Sequence, residues 1–267
     1  MTVVLEAPEQ ARPARTIRTI PLTRVVAVEL RKMFDTRSGF WMLVSIGVLA
    51  VLATGAVIIF APDETITYTS FATAFGFPMS VILPMIAILA VTSEWSQRSG
   101  LTTFTLVPSR GRVIGAKAMA TFLVGLISMV VAFAIGAVGN LVGSALAGVE
   151  TVWDVSLSTA PQIVLGNLVG MAIGFTLGTV LRNSAAAIVG YFVLSLVFPG
   201  VLALLAQVRE WFSDLQPWID WNYTQVMLFE GEASSAGEWA QLGSTTMIWI
   251  VVPLLIGLLS LRRSEVK

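Results

Sequence analysis

The sequence predicts an all-α polytopic membrane protein of six transmembrane helices, and two observations carry that reading. The 267-residue chain is 56% hydrophobic and only 12% charged, with a mean hydropathy of +0.84, whereas soluble domains have about a quarter of their residues charged. Every Asp, Glu, Lys and Arg also falls outside six windows, 40–62, 65–93, 118–149, 155–181, 183–208 and 239–261. About 20 apolar residues rising about 1.5 Å each cross a hydrocarbon core of about 30 Å. One charge at a helix centre costs about 2.5–3.5 kcal/mol on insertion, which is why the charges stay out. The spans are expected near 40–61, 71–92, 118–140, 160–181, 184–206 and 241–261, in a single domain of residues 39–263 with a short tail at 264–267.

Six spans put both termini on one side. All the basic residues except Arg209 then fall on that side, and such an excess of Lys and Arg marks the cytoplasmic face. The first apolar window follows a long charged segment and lacks a small-residue cleavage site, so it is expected to be retained rather than removed as a signal peptide.

Residues 1–20 read as a polar, Arg-bearing tail. Residues 21–38, PLTRVVAVELRKMFDTRS, place Leu22, Val25, Val26, Leu30, Met33 and Phe34 along one side of a helix, with Arg24, Glu29, Arg31, Lys32 and Arg37 around the rest. That pattern reads as an amphipathic helix in the interface plane, with a solvated linker as the alternative. Pro78 and Pro84 are expected to kink the second span, for packing or for a gating motion.

The pentapeptide GNLVG occurs at 139–143 and 166–170; the chain crosses in opposite directions there, so the match is read as coincidence. Gly166, Gly170, Gly174 and Gly178 make a smooth ridge on the fourth span where another backbone can approach, within the protomer or at a dimer seam. Pro199-Gly200 could break the fifth span. Trp211, Phe212, Trp218, Trp221, Tyr223, Phe229 and Trp239 then give residues 207–240 the aromatic density of a membrane interface, so short helices are expected at the outer leaflet. Asn222-Tyr223-Thr224 fits the glycosylation triplet, a weak pattern.

The chain has no Cys and no His, and no carboxylate lies inside a charge-free window. Thiol and imidazole chemistry and the usual zinc ligands are therefore missing, as is the intramembrane carboxylate of many ion-coupled carriers. No G-x-x-x-x-G-K-[ST] occurs, so no enzymatic activity is expected of this chain. If ATP drives it, another polypeptide hydrolyses that ATP.

The polar segment EWSQRSGLTTFTLVPSRGRVIGAKAMA, 94–120, has a Glu at a span end, an amphipathic stretch and a basic return into the membrane. Those features suit a helix lying across the cytoplasmic face, or a solvated turn anchored by snorkelling Arg and Lys. The segment resembles the inner loop of the permease subunits of bacterial type-2 ABC exporters, in the short actinobacterial style, with Glu, then Gly-Leu, then Pro and a basic stretch. VELRKMFDTRSGFWML, 28–43, looks like that family's amphipathic N-terminal helix. The six-span layout and aromatic outer segment also match, although Ser99-Gly100-Leu101 stands where many members have Gly-Thr-Leu or Gly-Thr-Ile.

The resemblance implies two permeases, identical or related, paired in a bacterial cytoplasmic membrane with two ABC ATPase subunits that use ATP and Mg. It implies that Glu94, Gly100, Leu101, Phe104 and Pro108 form the coupling helix, with Arg110 and Arg112 near the ATPase or lipid headgroups. Glu29, Leu30, Arg31, Lys32 and Phe34 of the N-terminal helix would flank that contact. The expected cargo is a hydrophobic or amphipathic compound such as a drug, antibiotic or lipid-like molecule. No cofactor, metal or nucleic acid is expected on this chain. The alternative is a membrane assembly or scaffold protein that transports nothing.

Overall fold

A corner opens the fold. In the computed structural model, which describes residues 20–96 and 110–263, helix α1 (Leu22–Asp35) stops at Thr36 and α2 (Arg37–Phe60) starts immediately after. Thr36 is extended, with φ −86° and ψ 137°, and its hydroxyl accepts a hydrogen bond from the Gly39 amide at 3.2 Å. A Thr in that conformation caps the helix ahead of it, so 21–38 is not one continuous helix. A Cβ on Gly39 would collide with the Met33 carbonyl, and only glycine permits so tight a join.

Beyond this corner run α3 (Tyr68–Ser96), α4 (Arg110–Ala147), α5 (Thr159–Leu181), α6 (Ser184–Phe192), α7 (Phe198–Val208), α8 (Glu210–Ile219), α9 (Trp221–Glu230), α10 (Ala236–Thr246) and α11 (Val252–Arg263). Six helical stretches are long and apolar enough to cross a membrane: Gly39–Phe60, Tyr68–Ser96, Gly111–Ala147, Thr159–Leu181, Ser184–Val208 and Ala236–Leu261. They are spans 1 to 6 below. No strand occurs among the described residues.

Span 4 is the axis of the bundle, with 61% of its most apolar window buried against 11% for span 5. Its glycine ridge divides in two. A Cβ on Gly174 would stand 2.7 Å from the Pro84 carbonyl oxygen, and one on Gly178 would stand 3.3 Å from that of Ile88, so this half lies on the backbone of span 2. Cβ atoms on Gly170 and Gly166 would meet Gln225 and Phe229 of α9, each at 2.7 Å. The close approach is thus made within one chain.

Prolines leave carbonyls without donors, and neighbouring side chains supply them. Pro84 has no N–H for the Ser80 carbonyl four residues earlier, and the Tyr191 hydroxyl of span 5 donates to that carbonyl at 3.0 Å. Spans 5 and 6 each contain a π-helical step, Val193–Val197 and Met247–Val251, placed two residues before Pro199 and Pro253. There Phe198 N–H reaches Val193 O and Val252 N–H reaches Met247 O, five residues back rather than four. This shift moves the carbonyl ladder off the proline ring, so span 5 runs through Pro199-Gly200 to Val208 instead of breaking there.

The 207–240 segment is helical, but its aromatic residues divide. Trp211, Trp218, Tyr223 and Trp239 are exposed, whereas Trp221 and Phe212 are buried. At the same end of the bundle the loop before span 4 is pinned to span 2. Asp154 accepts from the Thr69 amide at 2.7 Å, while Val152 O accepts from Tyr68 N–H and from the Asn140 amide. Burial pushes the Asp154 carboxyl up, but hydrogen bonds from Thr67 and Thr69 outweigh it and hold the group below its ordinary value. This is the aromatic end of the bundle. The opposite end, with α1, the end of span 2 and the start of span 3, is the basic end.

Candidate functional site

Four charged side chains meet where three elements converge at the basic end. On α1, Glu29 and Lys32 are three residues apart and so share a face, and Val25 and Glu29 are the buried residues of that helix. Span 3 turns a stripe of Val113, Ile114, Ala116, Lys117, Ala120 and Thr121 inward, which carries Lys117 into the interior. Span 2 brings Glu94 to the same place two residues before its last described residue, Ser96, and only 3% of Glu94 is exposed.

Glu29 is the hub. Its Oε2 accepts from Lys117 Nζ at 2.5 Å and its Oε1 from Lys32 Nζ at 2.7 Å. Glu94 Oε1 lies 3.4 Å from the Lys117 ammonium and 3.7 Å from that of Lys32. Those distances make ion pairs, but neither Glu94 oxygen has a hydrogen bond among the described residues. Two carboxylates and two ammoniums leave the cluster neutral, as a buried site requires. Burial pushes the Glu29 carboxyl up, yet the charge and hydrogen bond of Lys117, with those of Lys32, outweigh it and hold the group below its ordinary value.

Of the residues expected to couple to an ATPase, Glu94 is a member of this cluster. Arg112 is half-buried and donates to the Ile20 carbonyl at 2.5 Å, tying the start of span 3 to the start of α1. Arg110 begins α4; its side chain, with Gly100, Leu101, Phe104 and Pro108, lies outside the described residues. On α1, Leu30 and Lys32 are partly buried, while Arg31 and Phe34 are exposed. Val25, Val26, Leu30 and Met33 of the apolar side of α1 are turned onto the protein, whereas Leu22 and Phe34 face outward.

Lys117 is the residue that sequence reasoning missed as a site, reading it only as the basic start of span 3. The signal was present. A cation on the inward stripe of a helix requires an anion, and Glu29 and Glu94 were available. Asn222 is also more than its triplet implied. Its amide donates to the Leu194 carbonyl at 3.0 Å inside a helix, and the Thr224 of the triplet is fully buried. Among the described residues, no group of three or more His, Cys, Asp or Glu is placed to hold a metal ion.

A second feature is a cavity of about 470 Å³ at the aromatic end. Pro199 and Ala203 of span 5 form one wall, and Asn222, Tyr223 and Met227 of α9 form the other. Asp220, Glu230, Glu232 and Glu238 give it an acidic lining.

No family model and no curated protein matches this chain.

Proposed function

We propose that this chain is the membrane-spanning permease subunit of an ATP-driven ABC exporter, with ATP hydrolysed by a separate cytoplasmic subunit. One observation carries the reading: the buried cluster Glu29–Lys32–Glu94–Lys117 binds α1 to the end of span 2 and the start of span 3. These are the two regions that the resemblance assigns to the ATPase contact. An ionic joint suits that role, because truncating one partner of a buried pair costs about 3–5 kcal/mol. A push on the connection between spans 2 and 3 therefore reaches α1 and span 1 instead of being lost in a soft contact. The basic end faces the cytoplasm in this reading, and α1 lies at the membrane interface. Spans 1, 5 and 6 bury little of their surface within the chain, which leaves apolar faces for lipid and for a second permease.

The test is co-expression with an ABC ATPase encoded in the neighbouring reading frame. The expected result is co-purification, with ATPase activity stimulated by this chain and reduced by Lys117→Met in an assembled complex. Lack of any associating ATPase, with the chain folded in membranes, overturns the reading in favour of a scaffold protein.

A further inference from the structure

The aromatic end contains the parts of a gate. Its fixed wall is α9, anchored on span 4 by Gln225 donating to the Gly166 carbonyl at 2.8 Å. Reciprocal bonds between Gln162 and Ala233, at 3.2 and 3.0 Å, hold the segment that follows α9. The facing wall is the far half of span 5, Phe198–Val208, which carries Pro199 and Ala203 of the cavity lining. That half buries little of itself within the chain: of its residues only Leu202 is buried, and span 5 is the least buried of the six.

Between the two halves of span 5 lies the π step Val193–Val197. In the five-residue register established by Phe198 and Val193, the next donor for Leu194 O would be residue 199. Residue 199 is a proline and has no N–H. The donor comes instead from the fixed wall, through Asn222 Nδ2. Neighbouring side chains commonly satisfy broken spanning helices in this way, and here the bond joins the π step itself to the fixed wall. Span 6 has its own π step beside it, and the Phe198 and Trp249 rings meet edge to face with centroids 5.9 Å apart, so a bend in one span is carried to the other.

We propose that the π step of span 5 is the hinge of a gate, and that the Asn222–Leu194 hydrogen bond locks this hinge with Phe198–Val208 set beside the acidic cavity. Breaking that bond frees the hinge, lets the far half swing from α9 and widens a cavity whose rim residues Tyr223, Val226, Glu230 and Glu232 are exposed, down to the buried Met227. The inference needs no ATPase partner, so its failure is distinct from failure of the exporter reading.

The natural chain lacks cysteine, which makes single-thiol labelling clean. Met227→Cys places a thiol on the buried part of the fixed wall, and Met129→Cys places one in the fully buried core. Each is reacted with N-ethylmaleimide in the full chain in lipid nanodiscs. Asn222→Ala is expected to raise the Met227→Cys rate about five- to tenfold, the size of one lost hydrogen bond. Pro199→Ala restores a backbone donor and is expected to lower that rate, while Met129→Cys stays unreactive in both. A Met227→Cys rate that moves less than about twofold in either variant overturns the gate. So does a parallel rise at Met129→Cys, which marks global unfolding rather than a hinge.

Discussion

Tyr191 on span 5 donates its hydroxyl to the Ser80 carbonyl of span 2, the one carbonyl that Pro84 deprives of its helical donor. The side chain is 2% exposed, so removing the hydroxyl strands a buried acceptor. Tyr191→Phe is expected to lower unfolding free energy by about 1–3 kcal/mol. In a Pro84→Ala background, where residue 84 regains an N–H, the same substitution should cost much less. Thermal unfolding of the four proteins in one detergent reads the coupling.

Six spans were legible because a misplaced charge is costly enough to leave gaps in the sequence. The pairing of Glu29 with Lys117 was not, because it joins residues 88 apart and no local pattern encodes that distance. Pro199 was visible as a disruption. Its accommodation by a π step was not, because that depends on Asn222 arriving from another helix. Glu94 was expected at the ATPase contact through a family likeness. Its burial between two lysines came from the geometry alone, and the segment after it, 97–109, lies outside the described residues.

Lys117→Met should be among the most destabilising single substitutions at the basic end. It leaves Glu29 and Glu94 buried with only Lys32, which is 43% exposed, to offset them, and a loss of about 3–5 kcal/mol is expected. Glu29→Gln should cost more than Glu94→Gln, because among the described residues Glu29 accepts two hydrogen bonds and Glu94 accepts none. Denaturant unfolding of the three variants orders them.

Acid should loosen α1. Burial raises the Glu29 carboxyl, but Lys117 and Lys32 bring it below its ordinary 4.5. A depressed pKa stabilises fully above the unfolded value and ceases to do so as pH falls through the native one. Hydrogen-exchange protection of α1, corrected for intrinsic rates, should therefore be flat above about pH 5.5 and fall only in acid below 4.5. A loss of protection between about pH 6 and 8 would contradict this assignment.

The glycine ridge should be unequal in its tolerance. Gly174→Ala drives a methyl onto a backbone carbonyl that cannot step aside, at an expected cost of about 1–3 kcal/mol. Gly178→Ala, with more room against Ile88, should cost less. Melting temperatures of the two variants decide the order, and equal values would mean that spans 2 and 4 separate more easily than their contact implies.

The corner at Thr36 turns α1 into a lever. Its 14 residues make an arm about 21 Å long, at about 1.5 Å per residue, hung from span 1 on the torsions of one residue. A swing of about 10° moves its far tip by roughly 4 Å, but moves Glu29, about 10 Å from the pivot, by only about 2 Å. Glu29 and Lys32 ride together on the arm, so their 2.7 Å contact survives the tilt, whereas Glu29–Lys117 at 2.5 Å and Lys32–Glu94 at 3.7 Å run from the arm to the spans. A modest tilt is therefore enough to part Glu29 from Lys117 while the pair on the arm stays closed.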